Sequence, residues 1–476
     1  MTYETVIGIE IHCELKTRSK MFSGAPVTYG AAPNTAVNEI DLGHPGVLPS
    51  LNKAAVEKAL QACMALNLTI DPLVRFDRKN YFYADLPKGF QITQQFYPIG
   101  KDGWLDIDVD GETRRIRINR LHMEEDTAKQ YHVEDASWID FNRAGVPLVE
   151  IVSEADLRTA AEAMAYVDKL RNILVYLDVT DGKMEEGSLR CDINISLRPI
   201  GTTAFGTKTE IKNINSISNI EKAVASEIAR QSALLEAGQP VEQATRRYDD
   251  VAKTTVLMRM KEGSVDYKYF PEPNIPPVLL SQAWIEAIRL ALPELPDARY
   301  RRYRSLGLSD YDAGQLIQNK ALSDLFDALL PQVKSVKLAA NWCLGDLLAN
   351  LSQDQLTRKN YALRLSELAA MINALADQTI SSKQAKDIFG HLLEGKGYEA
   401  TVNALNIVQV SDTSVLSALV EEVLNENPQS IVDYHAGKDR ALGFLVGQLM
   451  KKSKGQANPA LSSELLKAQL ATRKPQ

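Results

Sequence analysis

Acids and bases alternate with apolar residues in two stretches, Lys183-Met-Glu-Glu-Gly-Ser-Leu-Arg-Cys-Asp192 and Lys208-Thr-Glu-Ile-Lys-Asn-Ile-Asn-Ser216. This pattern suits phosphate and metal chemistry better than it suits a core. Near the start, Val6-Ile-Gly-Ile-Glu-Ile-His12 places Glu10 and His12 on one face of a strand and three isoleucines on the other. A carboxylate and an imidazole at that spacing converge on one cation, or stand as solvated bystanders. A second acidic cluster lies in Leu121-His-Met-Glu-Glu-Asp126, and a third in Glu185, Glu186 and Asp192. Hard divalent ions draw carboxylate oxygens from several strands. The alternative is three unrelated acidic edges, and residue types alone leave both open. Arg190, Lys208 and Lys212 supply the opposite charge, for nucleotide phosphates or for a surface salt network. No GxxxxGK stretch occurs, so an ATP site here is not a P-loop. Two loops, Asp77-Arg-Lys-Asn-Tyr-Phe-Tyr83 and Asp85-Leu-Pro-Lys-Gly-Phe-Gln91, set lysines among aromatics; they line a polar passage or fold over the sheet.

These residues need a sheet to position them. Period-two alternation at Val6–His12, Ile116–His122 and Cys191–Leu197 predicts half-buried strands, in a mixed or antiparallel sheet with one open face. Lys101-Asp-Gly103 and Asp110-Gly111 read as turns that support hairpins. Helical spacing at Asn52–Leu66, Thr159–Leu177 and Asn219–Ala237 makes this part mixed α and β. Proline clusters at Phe270–Pro277 and Leu292–Pro296 mark a boundary, after which strand signals almost vanish. The expected organisation is an α+β domain over 1–294, an all-α domain over 295–405 and a small all-α tail over 406–476. Ser309 and Ser381 cap helices in the middle domain. Tail helices are expected at Asp412–Glu426, Pro428–Ala436, Arg440–Lys452 and Ser462–Ala471.

A chain of 476 residues with 45% hydrophobic and 24% charged content exceeds one compact core. No apolar run is long enough to span a bilayer, and the start lacks a basic region followed by an apolar run, so a cytoplasmic location is expected. Cys13, Cys63, Cys191 and Cys343 are scattered, which predicts buried reduced thiols and no zinc site. The net charge of −7 excludes indiscriminate nucleic-acid binding over the whole surface. From Gly437 to Gln476, however, eight Lys and Arg face two acids, leaving −13 on the remainder. A basic end on an acidic body is a docking site for a polyanion or a solvated tail.

Several of these segments, in order along almost the whole chain, resemble the B subunits of the aspartyl/glutamyl-tRNA amidotransferase, the GatB family. The resemblance rests on Val6–His12, Asp77–Tyr83, Arg120–Asp126, Lys183–Asp192, Tyr269-Phe-Pro-Glu-Pro273, Gly443-Phe-Leu-Val-Gly447 and Lys454-Gly-Gln-Ala-Asn-Pro459. Some relatives carry a cysteine cluster after the first strand, and this chain has none there. The resemblance implies a cradle domain related in fold to glutamine synthetase, followed by helical and tail domains. It further implies ATP- and magnesium-dependent phosphorylation of the side-chain carboxylate of glutamate or aspartate misacylated onto tRNA(Gln) or tRNA(Asn). Ammonia from glutamine, hydrolysed on a separate A subunit, then replaces the phosphate, and a C subunit completes a heterotrimer.

On that basis Glu10, His12, Glu125 and Glu150 are the expected metal shell, with Glu186, Asp192 and Glu210 as further members of the site. Arg190, Lys208 and Lys212 are expected to face phosphate, and Lys79 and Lys88 to line an ammonia passage. Lys438, Arg440, Lys451, Lys452 and Lys454 are expected to contact tRNA. Two other functions compete: a non-catalytic tRNA-binding scaffold, separated by ATP consumption, and a stand-alone ligase for a free amino acid, separated by a requirement for charged tRNA.

Overall fold

The computed structural model describes residues 3–260, 266–407, 413–438, 440–453, 457 and 459–473. It divides into two units, Met1–Pro296 and Asp297–Gln476. The first is built on a nine-stranded sheet whose five central strands are Tyr3–Glu14 (β1), Glu112–Glu125 (β2), Pro147–Ser153 (β3), Leu189–Pro199 (β4) and Thr209–Lys212 (β5). They lie in the order β5-β4-β1-β3-β2, with antiparallel pairing throughout. Beyond β2 come Gly100–Val109 and Thr69–Ile70; beyond β5 come Ala244–Asp249, paired in parallel, and Thr254–Met260. The sheet is thus mixed, as the alternation predicts.

That alternation sorts the two faces. Ile7, Ile9 and Ile11 are buried, whereas Gly8, Glu10 and His12 are only half-buried. Three helices seal the apolar face: Lys53–Ala65 (α1), Ala160–Tyr176 (α2) and Ile217–Glu236 (α3). Each begins at a polar cap. Asn52 accepts from the Ala54 and Ala55 amides, Thr159 from Glu162 and Ser216 from Asn219, satisfying amides the first turn leaves unpaired. The other face of the sheet is left open for polar side chains.

Asp110-Gly111 forms the hairpin turn between Gly100–Val109 and β2, with both residues at positive φ. Lys101-Asp-Gly103, in contrast, is not a turn but part of the strand Gly100–Val109. Packing explains its glycine: a Cβ at Gly103 would come 2.5 Å from the Leu66 carbonyl, so only glycine permits the close approach. The first proline cluster also serves the first unit: Phe270–Pro271 pairs with Asp77–Asn80, and Val278–Leu279 with Leu73–Val74.

The second unit holds helices and no strand among its described residues. One core gathers Tyr303, Leu316, Phe326, Trp342, Ile372 and Phe389; a separate one gathers Leu416, Val420, Leu445, Leu449 and Leu466. Ser309 and Ser381 cap their helices, Ser381 in a capping box with Gln384. The last four helices are Thr413–Glu426, Pro428–His435, Arg440–Lys452 and Pro459–Thr472. All four cysteines are buried and unpaired by disulfide. No described helix is long and apolar enough to cross a membrane.

Buried Glu227 ties α3 to the outer strands. Its carboxylate accepts from Arg230 (2.5 and 3.0 Å), Gln231 (2.9 Å) and Thr255 (2.8 Å). Burial opposes its charge, but these donors outweigh burial and hold its pKa below the usual carboxylate range. Its stabilising contribution is therefore complete above the unfolded carboxylate pKa and is lost as pH falls through the depressed folded value. Glu227→Ala is expected to cost about 2 to 3 kcal/mol at neutral pH, the exposed edge of Arg230 reducing the full penalty of a stranded charge. Urea denaturation at pH 7 and at pH 3 checks this: the difference between the two proteins should shrink at the lower pH.

Candidate active site

Register across the open face assembles the site. His12 on β1 lies opposite Glu150 on β3, Glu150 lies opposite His122 on β2, and on its other side His12 lies opposite Arg190 on β4. Four side chains distant in sequence thus form one row. His12 Nε2 is 3.2 Å from Glu150 Oε2 and 3.8 Å from Glu124 Oε1. His122 Nε2 lies 3.5 Å from Glu150 and 3.6 Å from Glu124. A neighbouring group joins Glu10 of β1, Asp192 of β4 and Glu210 of β5. In each group, His12/Glu124/Glu150 and Glu10/Asp192/Glu210, one ligand atom per residue lies within 4.8 Å of the others.

Surrounding hydrogen bonds aim these acids. Asn194 donates to Glu10 at 3.0 Å, Thr245 to Glu210 at 2.9 Å and Thr93 to Glu124 at 3.3 Å. Lys212 pairs with Asp192 and sits 3.3 Å from Glu210. Arg190 donates to buried Asp126 at 2.6 Å. A cleft of about 1220 Å³ is lined by His12, Arg190, Asp192 and Lys212 among others. A smaller one of about 400 Å³ is lined by Glu10, Asn194, Phe205 and Lys208.

Charge crowding shifts the titrations. Burial raises the Glu10 pKa, and the charges of Glu150 and Asp192 raise it further. Burial works against a protonated His12, but the hydrogen bond to Glu150 and the charges of Glu150 and Glu124 outweigh it and raise its pKa to about 9. Burial likewise opposes the Glu150 charge, and His122 and His12 hold that carboxyl well below its ordinary value. Burial lowers the Lys212 pKa, yet Asp192 more than compensates, keeping it cationic.

The donor set fits hard divalent cations: five carboxylates and an imidazole, in two adjoining groups, on strands fixed by register. Buried nitrogens without a hydrogen-bond partner beside these groups suit an anion such as phosphate, because an arginine N–H only donates. Arg120 Nε, His122 Nδ1 and Arg190 Nε belong to residues on the same sheet face.

The structure divides the expected shell: His12 and Glu150 fall in one group, with Arg190 opposite His12, and Glu10 falls in the other with Asp192 and Glu210, beside Lys212. It brings Glu125 to neither. On β2, Arg120, His122 and Glu124 point to the open face, and Leu121, Met123 and Glu125 to the other. Glu125 instead pairs with Lys88 and accepts from the Ile92 amide at 3.0 Å. Glu124, His122 and Arg120 are the residues missed: a register shift between Ile118 and Arg120 resets the alternation that begins at Ile116, so counting by twos along β2 gives the wrong face. Glu186 stands apart from both acidic groups, paired with Lys183 at 2.7 Å on the cleft wall. Exposed Lys208 lines the smaller cleft. Lys79 lies 4.9 Å from the Tyr267 ring. In the tail, Lys438 pairs with Asp433 and Lys452 with Glu422 and Glu426, while Arg440 and Lys451 are exposed. Lys454 lies outside the described residues.

Similarity to known proteins runs along most of the chain. Residues 5–286 match the family described as GatB/GatE catalytic domain, and residues 324–470 the one described as GatB domain. The chain is 53% identical over 475 residues to the B subunit of the aspartyl/glutamyl-tRNA(Asn/Gln) amidotransferase of Lysinibacillus sphaericus, covering 99% of this chain and 100% of the relative. It is 52% identical over 468 residues to the protein of the same name from Bacillus cereus strain AH187, covering 98% of each.

Manganese binding distinguishes the two adjacent glutamates. Glu124→Gln is expected to weaken Mn²⁺ affinity by more than about tenfold, and Glu125→Gln to leave it within about twofold. Electron paramagnetic resonance titration of free Mn²⁺ reads both.

Proposed function

The chain belongs to the GatB/GatE family, and from that premise we propose that it activates the side-chain carboxylate of Glu-tRNA(Gln) or Asp-tRNA(Asn) with ATP for amidation. The observation that carries this reading is the pair of acidic groups on one sheet face, flanked by Arg190 and Lys212. A carboxylate is a poor acyl electrophile. Bonding one of its oxygens to the γ-phosphorus, as the bond to ADP breaks, turns that oxygen into part of a leaving group. Ammonia then forms the C–N bond, the C–O bond to phosphate breaks, and a proton leaves nitrogen.

His12, Glu124 and Glu150 would hold one magnesium ion and Glu10, Asp192 and Glu210 another; when bound, these ions neutralise phosphate and carboxylate oxygens that otherwise repel. Arg190 and Lys212 are fixed by Asp126 and Asp192, so their positive charge would already be in place to stabilise equatorial phosphate oxygens as they gather charge. Glu124 and Glu150 hold the His12 proton when no cation is present.

The relatives' shared name makes each a subunit of a larger amidotransferase acting on tRNA. We extend this to partner A and C subunits, with the A subunit hydrolysing glutamine. Lys79, Lys88 and the Lys88 partner Glu125 would border the path by which ammonia arrives. The first unit would be a cradle akin to glutamine synthetase, and residues 406–476 a tail that holds tRNA through Lys438, Arg440, Lys451, Lys452 and Lys454. This work would take place in the cytoplasm.

The assembled complex tests the reading. Phosphate release from ATP should require charged tRNA and yield one amide per phosphate; release that ignores charged tRNA refutes it. Lys88→Met should lower glutamine-driven amidation at least about tenfold while sparing amidation driven by ammonium chloride. Equal loss with both donors would remove Lys88 from the ammonia path.

A further inference from the structure

Lys129–Val133 and Ala136–Asp140 form a two-stranded antiparallel hairpin outside the nine-stranded sheet. Its base is anchored. Arg143 donates to the Thr127 and Ala128 carbonyls at 2.9 and 3.0 Å, and Asn34 donates to Asp140 and to the Ile139 carbonyl at 3.0 and 3.1 Å. One face sets Ile139 beside a small polar network: Gln130 donates to Ser137 at 3.1 Å, and Ser137 lies 3.2 Å from His132 Nδ1.

The other face carries Tyr131 directly across from Trp138, 42% and 64% exposed. Lys129 sits on this face, 5.0 Å from the Tyr131 ring centre. Lys129, Tyr131 and Asp140 also line the larger cleft, so the aromatic face borders the chamber that holds His12 and Arg190. Exposed Tyr29 borders the same cleft.

Two adjacent exposed aromatics with Lys129 beside them match what single-stranded RNA recognition requires, flat apolar surfaces for bases and a cation for a phosphate; on the cleft wall nearby, Lys16 is engaged by Asp178 and Arg143 by Asp126. The acids Glu134 and Asp135 at the tip would repel phosphates, so the strand would lie along the face toward Lys129, at the other end of the hairpin. We propose that Tyr131 and Trp138 form a stacking platform for the single-stranded acceptor end of the charged tRNA as it delivers its amino acid to the cleft. This rests on the function proposed above.

The test uses the assembled complex with Tyr131→Ala/Trp138→Ala and Tyr131→Phe/Trp138→Phe. The alanine pair should raise the KM for Glu-tRNA or Asp-tRNA about tenfold, leaving kcat and the KM for ATP within about twofold, and the phenylalanine pair should restore it. An unchanged KM overturns the platform. Failure of the alanine pair to co-elute with its partner subunits also overturns it, by making the hairpin a protein contact. Anisotropy of a labelled RNA minihelix gives a readout independent of amidation: a four-nucleotide 3′ overhang should tighten binding over a blunt end in the wild type and not in the alanine pair. If the wild type amidates no charged tRNA yet keeps that overhang preference, the proposed function falls and the platform stands.

Discussion

Mutual repulsion among acids on one sheet face is the problem around which the first unit is organised. Glu10, Glu124, Glu150, Asp192 and Glu210 converge in two groups within 4.8 Å. Like charges this close require protons, cations or bound metal to coexist. Here the protein supplies part of the compensation itself through His12, Arg190 and Lys212, and the rest is available to ligands.

Strand register enforces the convergence. His12, Glu150, His122 and Arg190 come from four strands, and only an antiparallel ladder with fixed pairing places them in a row. A one-residue slip would exchange them for Ile11 or Ile151 and bury the charge. The helices on the reverse face resist such a slip, because the isoleucines between the acids form the packed core. Core and candidate site are thus two sides of one alternation, and the side chains that stabilise the fold also hold the acidic groups in place.

Much of this is legible in the chain. Alternation in Val6–His12 predicts both faces of β1, and helical spacing predicts α1 to α3 to within a few residues. The failures are equally physical. Choosing between Glu124 and Glu125 needs the phase of the strand, which residue type does not supply. Lys101-Asp-Gly103 has turn composition, but Gly103 answers to the close approach of Leu66. Pairings such as His12 with Glu150 span a sequence separation over which composition carries no register.

Whether the two acidic groups carry nucleotide-bound cations is decided by crystals grown with Mn²⁺ and a non-hydrolysable ATP analogue, read by anomalous scattering from manganese. Two peaks are expected, one among His12, Glu124 and Glu150 and one among Glu10, Asp192 and Glu210, with analogue phosphate oxygens between them. Manganese bound elsewhere on the chain, with both acidic groups unoccupied, would contradict that assignment.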